Sequence, residues 1–219
     1  MLVLVIDTSS AATTAALVAV SGGFAPSLVA RQLNVDARAH GEVLAPAIAA
    51  CLAEVGAAPA ELAAIVAGTG PGPYTGLRVG LVTAAAFGHA LSVPTYGVCS
   101  LDGIGAALTE PRLLAAGDAR RREIYWAAYT DGVRTAEPEV AKPADVATAG
   151  FTACAGAGAR LYADLLGLPL RDLDYPDPVA LARVAADRIQ AGVPSETLIP
   201  LYLRRPDAVE PAARKPVRT

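Results

Sequence analysis

Unbroken apolar runs and apolar stripes of helical period alternate along this chain. Residues 2–6, Leu-Val-Leu-Val-Ile, form a continuous run that stops at Asp7-Thr8-Ser9-Ser10. That is the pattern of a strand buried on both faces and followed by a hydroxyl-rich turn. Residues 13–20 and 28–33 read as two more strands, separated by Ser21-Gly22-Gly23. Their short connections predict an antiparallel meander laid against the first strand. The period then changes. Val43, Leu44, Ala47, Ile48, Cys51, Leu52 and Val55 fall on one face of a helix over 39–55. Pro46 lies inside it, tolerable in a first turn or the cause of a kink. Residues 63–67 are again a buried strand, preceded by a helical turn at Pro59-Ala60-Glu61-Leu62.

That strand leads into Gly68-Thr69-Gly70-Pro71-Gly72-Pro73-Tyr74-Thr75-Gly76-Leu77-Arg78-Val79-Gly80, around which the chain is organised. Glycines and prolines force a sharp turn there. Thr75 is a suitable N-cap for a helix over 76–91. Gly76, Gly80, Ala84 and Gly88 recur every four residues, so they stack on one face of that helix. Leu77, Leu81 and Val82 cover the neighbouring positions. A face so bare lets another helix approach the backbone closely, as small-xxx-small faces do. That helix could belong to this chain or to another polypeptide.

The second half repeats the opening theme by pattern rather than by identity. Residues 93–98 are a short strand, and Ser100-Leu101-Asp102 can cap a helix running to Leu108. Residues 112–119 are an apolar run with a terminal acid, Asp118. Residues 123–129 follow as a strand turned by Asp131-Gly132, with a third near 133–136. Residues 149–158 read as strand and loop. Pro178 opens a helix over 179–191 with Leu181, Val184, Ala185 and Ile189 inward and Gly192 at its C-terminal end. Residues 200–204 predict a last short strand. Beyond Pro206, Ala, Pro and Arg dominate, a composition that reads as disordered.

Composition narrows the function classes. A chain of 219 residues, 53% hydrophobic, has ample material for a core. Much of that share is alanine, and no run approaches the ~20 apolar residues that span a bilayer. The first residues lack a basic n-region and meet Asp7 early, unlike a signal peptide, so a soluble cytoplasmic protein is expected. Net charge is −3, short of the basic footprint of a chain that grips nucleic acid alone. Arg120-Arg121-Arg122 and Arg204-Arg205 read as solvated faces. If nucleic acid is involved, another subunit supplies most of the contact. Cys51, Cys99 and Cys154 are far apart with no CxxC pair, which indicates neither zinc nor a disulfide framework.

Candidate chemistry is sparse. Free N–H groups at a helix start favour anions, so Asp7, Gly70 and Gly72 are candidates for a phosphate site. The Lys-Ser/Thr of a P-loop is missing, and a tight turn without ligand explains the same spacing. Asp7 and Asp118 end strands, where nucleotide-binding folds often place acids, and each also suits a turn cap. The position four residues after His40 is Leu44, so an i, i+4 histidine metal pair is excluded. The other histidine, His89, falls on a different helix. No GxSxG elbow or Cys-His signature occurs. This shortage of acids, bases and nucleophiles argues against an independent enzyme.

Taken together, Leu4-Val5-Ile6-Asp7-Thr8-Ser9, His40 with its helix, the 70–80 block, Asp118-Ala119-Arg120 with Glu123-Ile124-Tyr125-Trp126, and Pro200-Leu201-Tyr202-Leu203-Arg204 resemble the TsaB (YeaZ) family. The resemblance spans nearly the whole chain apart from its tail. It implies an α/β fold of the actin/Hsp70/sugar-kinase-like (ASKHA) type, two related lobes with mixed central sheets flanked by helices. These would be a lobe at 1–98, a smaller one at 99–205 whose end may pack back, and a tail at 206–219. It also implies a role in adding threonylcarbamoyl to the adenosine beside the anticodon of tRNA. In such a system the catalyst is the paralogue TsaD, which holds the metal, and TsaE is an ATPase partner. A member of this family is a non-catalytic subunit that dimerises with TsaD, or with itself when alone, through its two N-lobe helices. The expected interface is Val43, Leu44 and Ala47 on the first helix and Gly76, Leu77, Gly80, Leu81 and Ala84 on the second. No cofactor is expected in the isolated chain, with ATP and magnesium only at the level of the complex, and tRNA contacted mainly through it. The HxxxH of TsaD-type proteins is not carried over, since His40 stands with Leu44. Pro73-Tyr74 departs from the Ser-Phe common elsewhere. An ATP-dependent phosphotransferase of the same fold, with Asp7 and the glycine loop around phosphates, is the alternative reading, and a metalloprotease a third.

Overall fold

The computed structural model describes residues 1–204. β1 (Leu2–Asp7) is the middle strand of a five-stranded sheet. β2 (Ala12–Ala19) runs antiparallel to it, from Leu2 opposite Ala19 to Asp7 opposite Thr14. β3 (Ser27–Val35) continues the meander as the outer strand. On the other side β4 (Leu62–Gly68) and β5 (Thr95–Val98) lie parallel, giving the order β3-β2-β1-β4-β5.

The continuous apolar run of β1 has a direct cause: both faces of this sheet are covered. Leu4 and Ile6, with Ile65 and Ala67, face α1 (His40–Val55) and α2 (Tyr74–Leu91). Val3 and Val5, with Val66 and Tyr96, face α6 (Pro178–Gln190) through Leu181, Ala185 and Ile189. The last helix therefore returns from the second half of the chain to close the first sheet. It is well capped. The Asp177 carboxylate accepts the Ala180 N–H at 2.8 Å, and Gly192 follows with φ of 62°.

The second sheet repeats the opening connectivity. β6 (Leu113–Asp118) pairs antiparallel with β7 (Ile124–Thr130) and parallel with β10 (Ala153–Ala155), as β1 does with β2 and β4. β8 (Val133–Arg134) and β9 (Glu139–Ala141) both pair with β7. α3 (Asp102–Gly105) contributes Ile104 to one face. α4 (Ala157–Leu161) and α5 (Ala163–Leu166) pack on the other through Ala159 and Leu166. The molecule is thus an α/β protein of two mixed sheets flanked by helices, the ASKHA-like architecture expected from the sequence.

Several local expectations differ. α2 starts at Tyr74, so Thr75 is inside the helix and Pro73 occupies the cap position with extended backbone and no side-chain cap bond. α3 ends at Gly105 rather than Leu108. Val184 is 41% exposed, on the outer edge of the α6 stripe. Residues 200–204 join no sheet. Pro200 removes a ladder donor from this segment, and Leu201 N–H reaches only the Thr69 carbonyl, at 2.8 Å. The predicted tail at 206–219 lies outside the described residues.

Candidate functional site

Asp7 and the glycine-rich loop meet where β1 and β4 end, but they do not leave a phosphate cradle. The Asp7 carboxylate is buried and already accepts three hydrogen bonds. One oxygen accepts the Ser9 N–H at 3.0 Å and the Ser9 hydroxyl at 2.8 Å, and the other accepts the Ser100 hydroxyl at 2.6 Å. Ser100 in turn accepts the Gly70 N–H at 3.0 Å. Burial pushes the Asp7 carboxyl above its ordinary pKa, against the lowering effect of these donors. The loop glycines are spoken for as well. A Cβ at Gly68 would lie 1.8 Å from the Asp7 carboxylate, and one at Gly72 2.2 Å from the Ser9 carbonyl. Gly70 has φ of 94°, the left-handed region that glycine tolerates. Each glycine is required by its own chain, and the residues do not fit a nucleotide phosphate with its magnesium at Asp7.

The small-residue stripe of α2 points inward, which corrects its expected role as the partner surface. Gly76, Gly80, Ala84 and Gly88 are all buried. A Cβ on Gly80 would lie 2.4 Å from the Thr8 hydroxyl, one on Gly88 2.4 Å from the Thr95 methyl, and one on Gly76 2.8 Å from the Thr8 carbonyl. The Thr8 hydroxyl donates to the Gly76 carbonyl at 2.7 Å and accepts the Gly80 N–H at 3.1 Å, bridging one rung of the helix to the end of β1. Leu44, Leu77 and Leu81 are buried too. Of the eight expected interface residues, Val43 and Ala47 alone keep partial exposure.

His40 is a core histidine. It is 6% exposed, its Nδ1 lies 2.6 Å from the Thr13 hydroxyl, and burial lowers its pKa. His89 sits on the exposed side of α2, roughly 20 Å along the helix from the turn above His40 at 1.5 Å per residue. The two histidines are not brought together. Among the described residues no cluster of His, Cys, Asp and Glu could hold a metal ion. Cys51, Cys99 and Cys154 are free thiols. No helix among the described residues is long and apolar enough to cross a membrane.

Between the two sheets a cavity of about 210 Å³ is lined by Ser9, Pro71, Pro73, Asp118, Arg120 and Tyr125, among others. Pockets that bury a drug-sized ligand run to roughly 300–1,000 Å³. Asp118 caps its own turn here, accepting the Arg120 N–H at 2.8 Å. A larger groove, about 910 Å³, lies outside, between the exposed side of α2 and the segment 195–200. Arg78, Val82, Ala85 and His89 line its helix wall, and Val82 is 66% exposed.

The sequence reading missed the bonds that fix this region. Ser100 closes Asp7, and Thr8 locks α2. Tyr202 stacks on Tyr74 with ring centroids 5.0 Å apart. These pairs are separated by 93, 72 and 128 positions, and no local pattern signals them.

A family model for tRNA N6-adenosine threonylcarbamoyltransferase (TsaD) matches residues 8–159. An uncharacterized protein of Mycobacterium leprae is 50% identical over 207 residues, which cover 94% of this chain but 56% of the relative. The tRNA threonylcarbamoyladenosine biosynthesis protein TsaB of Escherichia coli is 29% identical over 225 residues, covering 93% of this chain and 95% of that protein. The solved structure of YeaZ from Pseudomonas aeruginosa superposes with a TM-score of 0.76 at 27% identity, covering 92% of this chain and 99% of that one.

Proposed function

The chain belongs to the TsaD family, in its TsaB (YeaZ) branch, and from that premise we propose that it is a non-catalytic subunit of the assembly that makes threonylcarbamoyladenosine in tRNA. The observation that carries this reading is the closed Asp7. The strand-end acid, the position where a phosphate or metal site was a candidate, is here enclosed by Ser9 and Ser100. A chain so built contributes by holding a partner. That partner is the TsaD-type paralogue, which carries the metal and the transfer chemistry. ATP and magnesium are then used at the level of the assembly with the ATPase TsaE, and tRNA is met mainly through it, in the cytoplasm. Without the paralogue the same surface pairs two copies of this chain.

The docking surface we assign is the outer side of α1 and α2, not the small-residue stripe. Val43 and Ala47 border it on α1, and the exposed Val82 and Ala85 stand on α2 beside the large groove. A pair of helices presented this way suits a standard interface of roughly 1,200–2,000 Å² in total. Size-exclusion chromatography with the transferase of the same organism tests it. Val82→Glu is expected to abolish co-elution while leaving the melting temperature unchanged, because its side chain is in solvent. Unaltered co-elution of that variant would overturn the assignment.

A further inference from the structure

A cavity of about 430 Å³ lies between β8 and α6, and the function proposed above does not use it. Asp102, Tyr129, Val133, Arg134, Glu137 and Val184 are among its lining residues. Its volume falls within the roughly 300–1,000 Å³ of small-molecule pockets. Asp102, the first residue of α3, is 9% exposed. One of its oxygens, Oδ1, accepts the Tyr129 hydroxyl at 2.8 Å and lies 3.1 Å from Arg134 Nε. Arg134 Nη1 donates to the Glu137 carboxylate at 3.3 Å. Among the described residues no hydrogen bond reaches Asp102 Oδ2, and none leaves Arg134 Nη2.

A carboxylate so buried is costly to leave with an oxygen unsatisfied. An ion pair that served only to brace the fold would do best in bidentate form, with both oxygens on the guanidinium fork. Here both partners keep one polar atom uncommitted, and both line the same cavity. The charges around it are two carboxylates, Asp102 and Glu137, against one guanidinium, Arg134. That excess of negative charge disfavours an anion. Nor does the set suit a metal ion. One open oxygen is far short of the ligands that calcium or magnesium requires, and no metal-holding cluster occurs among the described residues. Cys99 and Tyr129 beside Asp102 stay neutral. Burial pushes the Cys99 thiol up to about 12 and the Tyr129 hydroxyl well above its ordinary value. The groups are arranged for binding and not for covalent chemistry. The remaining wall is apolar, with Val133 68% and Val184 41% exposed.

We propose that this cavity binds a free α-amino acid, with the ammonium on the open oxygen of Asp102, the carboxylate on the open nitrogen of Arg134, and a small apolar side chain against Val133 and Val184. Ammonium and carboxylate borne on one carbon match an acid and a guanidinium that already stand side by side. A plain amine would leave Arg134 unanswered, and a plain carboxylate would meet the repulsion of Asp102 and Glu137. Because Asp102 is withdrawn from water, its pairing with an ammonium is stronger than at an exposed site. The inference does not depend on the partner reading, since it uses neither α1 nor α2.

Titration calorimetry of the full chain with the common amino acids, one at a time, tests it. Saturable heat with Kd near or below about 1 mM is expected for one with a small apolar side chain. The amine that lacks its carboxylate, and the carboxylic acid that lacks its amine, are each expected to bind at least ~10-fold more weakly. Asp102→Asn keeps an acceptor for Tyr129 but removes the charge, and is expected to weaken binding at least ~10-fold. Its melting temperature is measured alongside. Should that variant fold poorly, Val133→Lys decides, because the position is exposed and the new ammonium competes for the same carboxylates. It is expected to weaken binding to a similar degree. No saturable heat with any amino acid overturns the proposal. Unchanged affinity in a folded variant overturns it too, by placing the ligand elsewhere. An amine that binds as tightly as its amino acid overturns the paired arrangement on Asp102 and Arg134.

Discussion

Thr8 and Gly80 show how tightly single positions are determined. The Thr8 hydroxyl occupies the space a side chain at position 80 would need. Gly80→Ala is therefore expected to destabilise the protein by about 1–3 kcal/mol, the range for forced overpacking, as measured by urea unfolding. Gly22→Ala, where a Cβ meets nothing within 4 Å, is the matched control and is expected to stay near wild type. Two buried ionisable groups give opposite pH dependences. The folded Asp7 carboxyl titrates above its ordinary 3.8, so the folded state retains a proton that the unfolded chain releases. Stability then falls as pH rises from about 4 through the folded pKa, and Asp7→Asn should remove that slope. The folded His40 titrates below its ordinary 6.5, so the unfolded chain takes up the proton first. Stability is lost as pH falls below about 6.5, and His40→Gln should flatten that limb. Melting temperature against pH for the three proteins checks both signs. Of this, the spacing of Gly76, Gly80, Ala84 and Gly88 was legible. What covers the stripe was not, because periodicity defines a face and not its neighbour.

At the scale of elements, the strands and long helices follow from their apolar patterns because each pattern matches a burial. β1 is apolar from Leu2 to Ile6 because α1 and α2 cover one face and α6 the other. The segment from 193 to 204 was harder to read. It hugs the edge of β5 by a mixture of bonds that no period encodes. Tyr96 hydroxyl donates to the Val193 carbonyl at 2.6 Å, and Glu196 N–H to the Thr95 carbonyl at 2.9 Å. The Glu196 carboxylate receives Arg188 at 2.7 and 2.8 Å and the Gly97 N–H at 3.2 Å. Glu196→Ala strips both Arg188 and the edge N–H of an acceptor. Since the Arg188–Glu196 pair is about a third exposed, the expected loss is modest, about 1 kcal/mol. By the usual scaling that lowers Tm by roughly 2–4 °C, which calorimetry resolves. A variant as stable as wild type would mean the segment is held by its backbone bonds and apolar contacts without the Glu196 carboxylate.

For the whole molecule, the doubled theme of a strand ending in an acid was visible in Leu2–Asp7 and Leu113–Asp118, and both sheets grow from it. The return of α6 to the first sheet was not visible, because an amphipathic helix records that it is covered and not by what. The two strand-end acids also have different fates. Asp7 is enclosed, and Asp118 lines a cavity of about 210 Å³, below the range usual for drug-sized ligands. Titration calorimetry of the isolated chain with ATP and magnesium is accordingly expected to give no saturable heat. The claim on which the function rests is that this chain serves a catalyst rather than being one. The direct measurement is threonylcarbamoyladenosine formed on unmodified tRNA by the purified components, each omitted in turn. The expected result is no product from this chain without the transferase and a marked loss of product when this chain alone is left out. Product formed by this chain without the transferase, or full product without this chain, would contradict it.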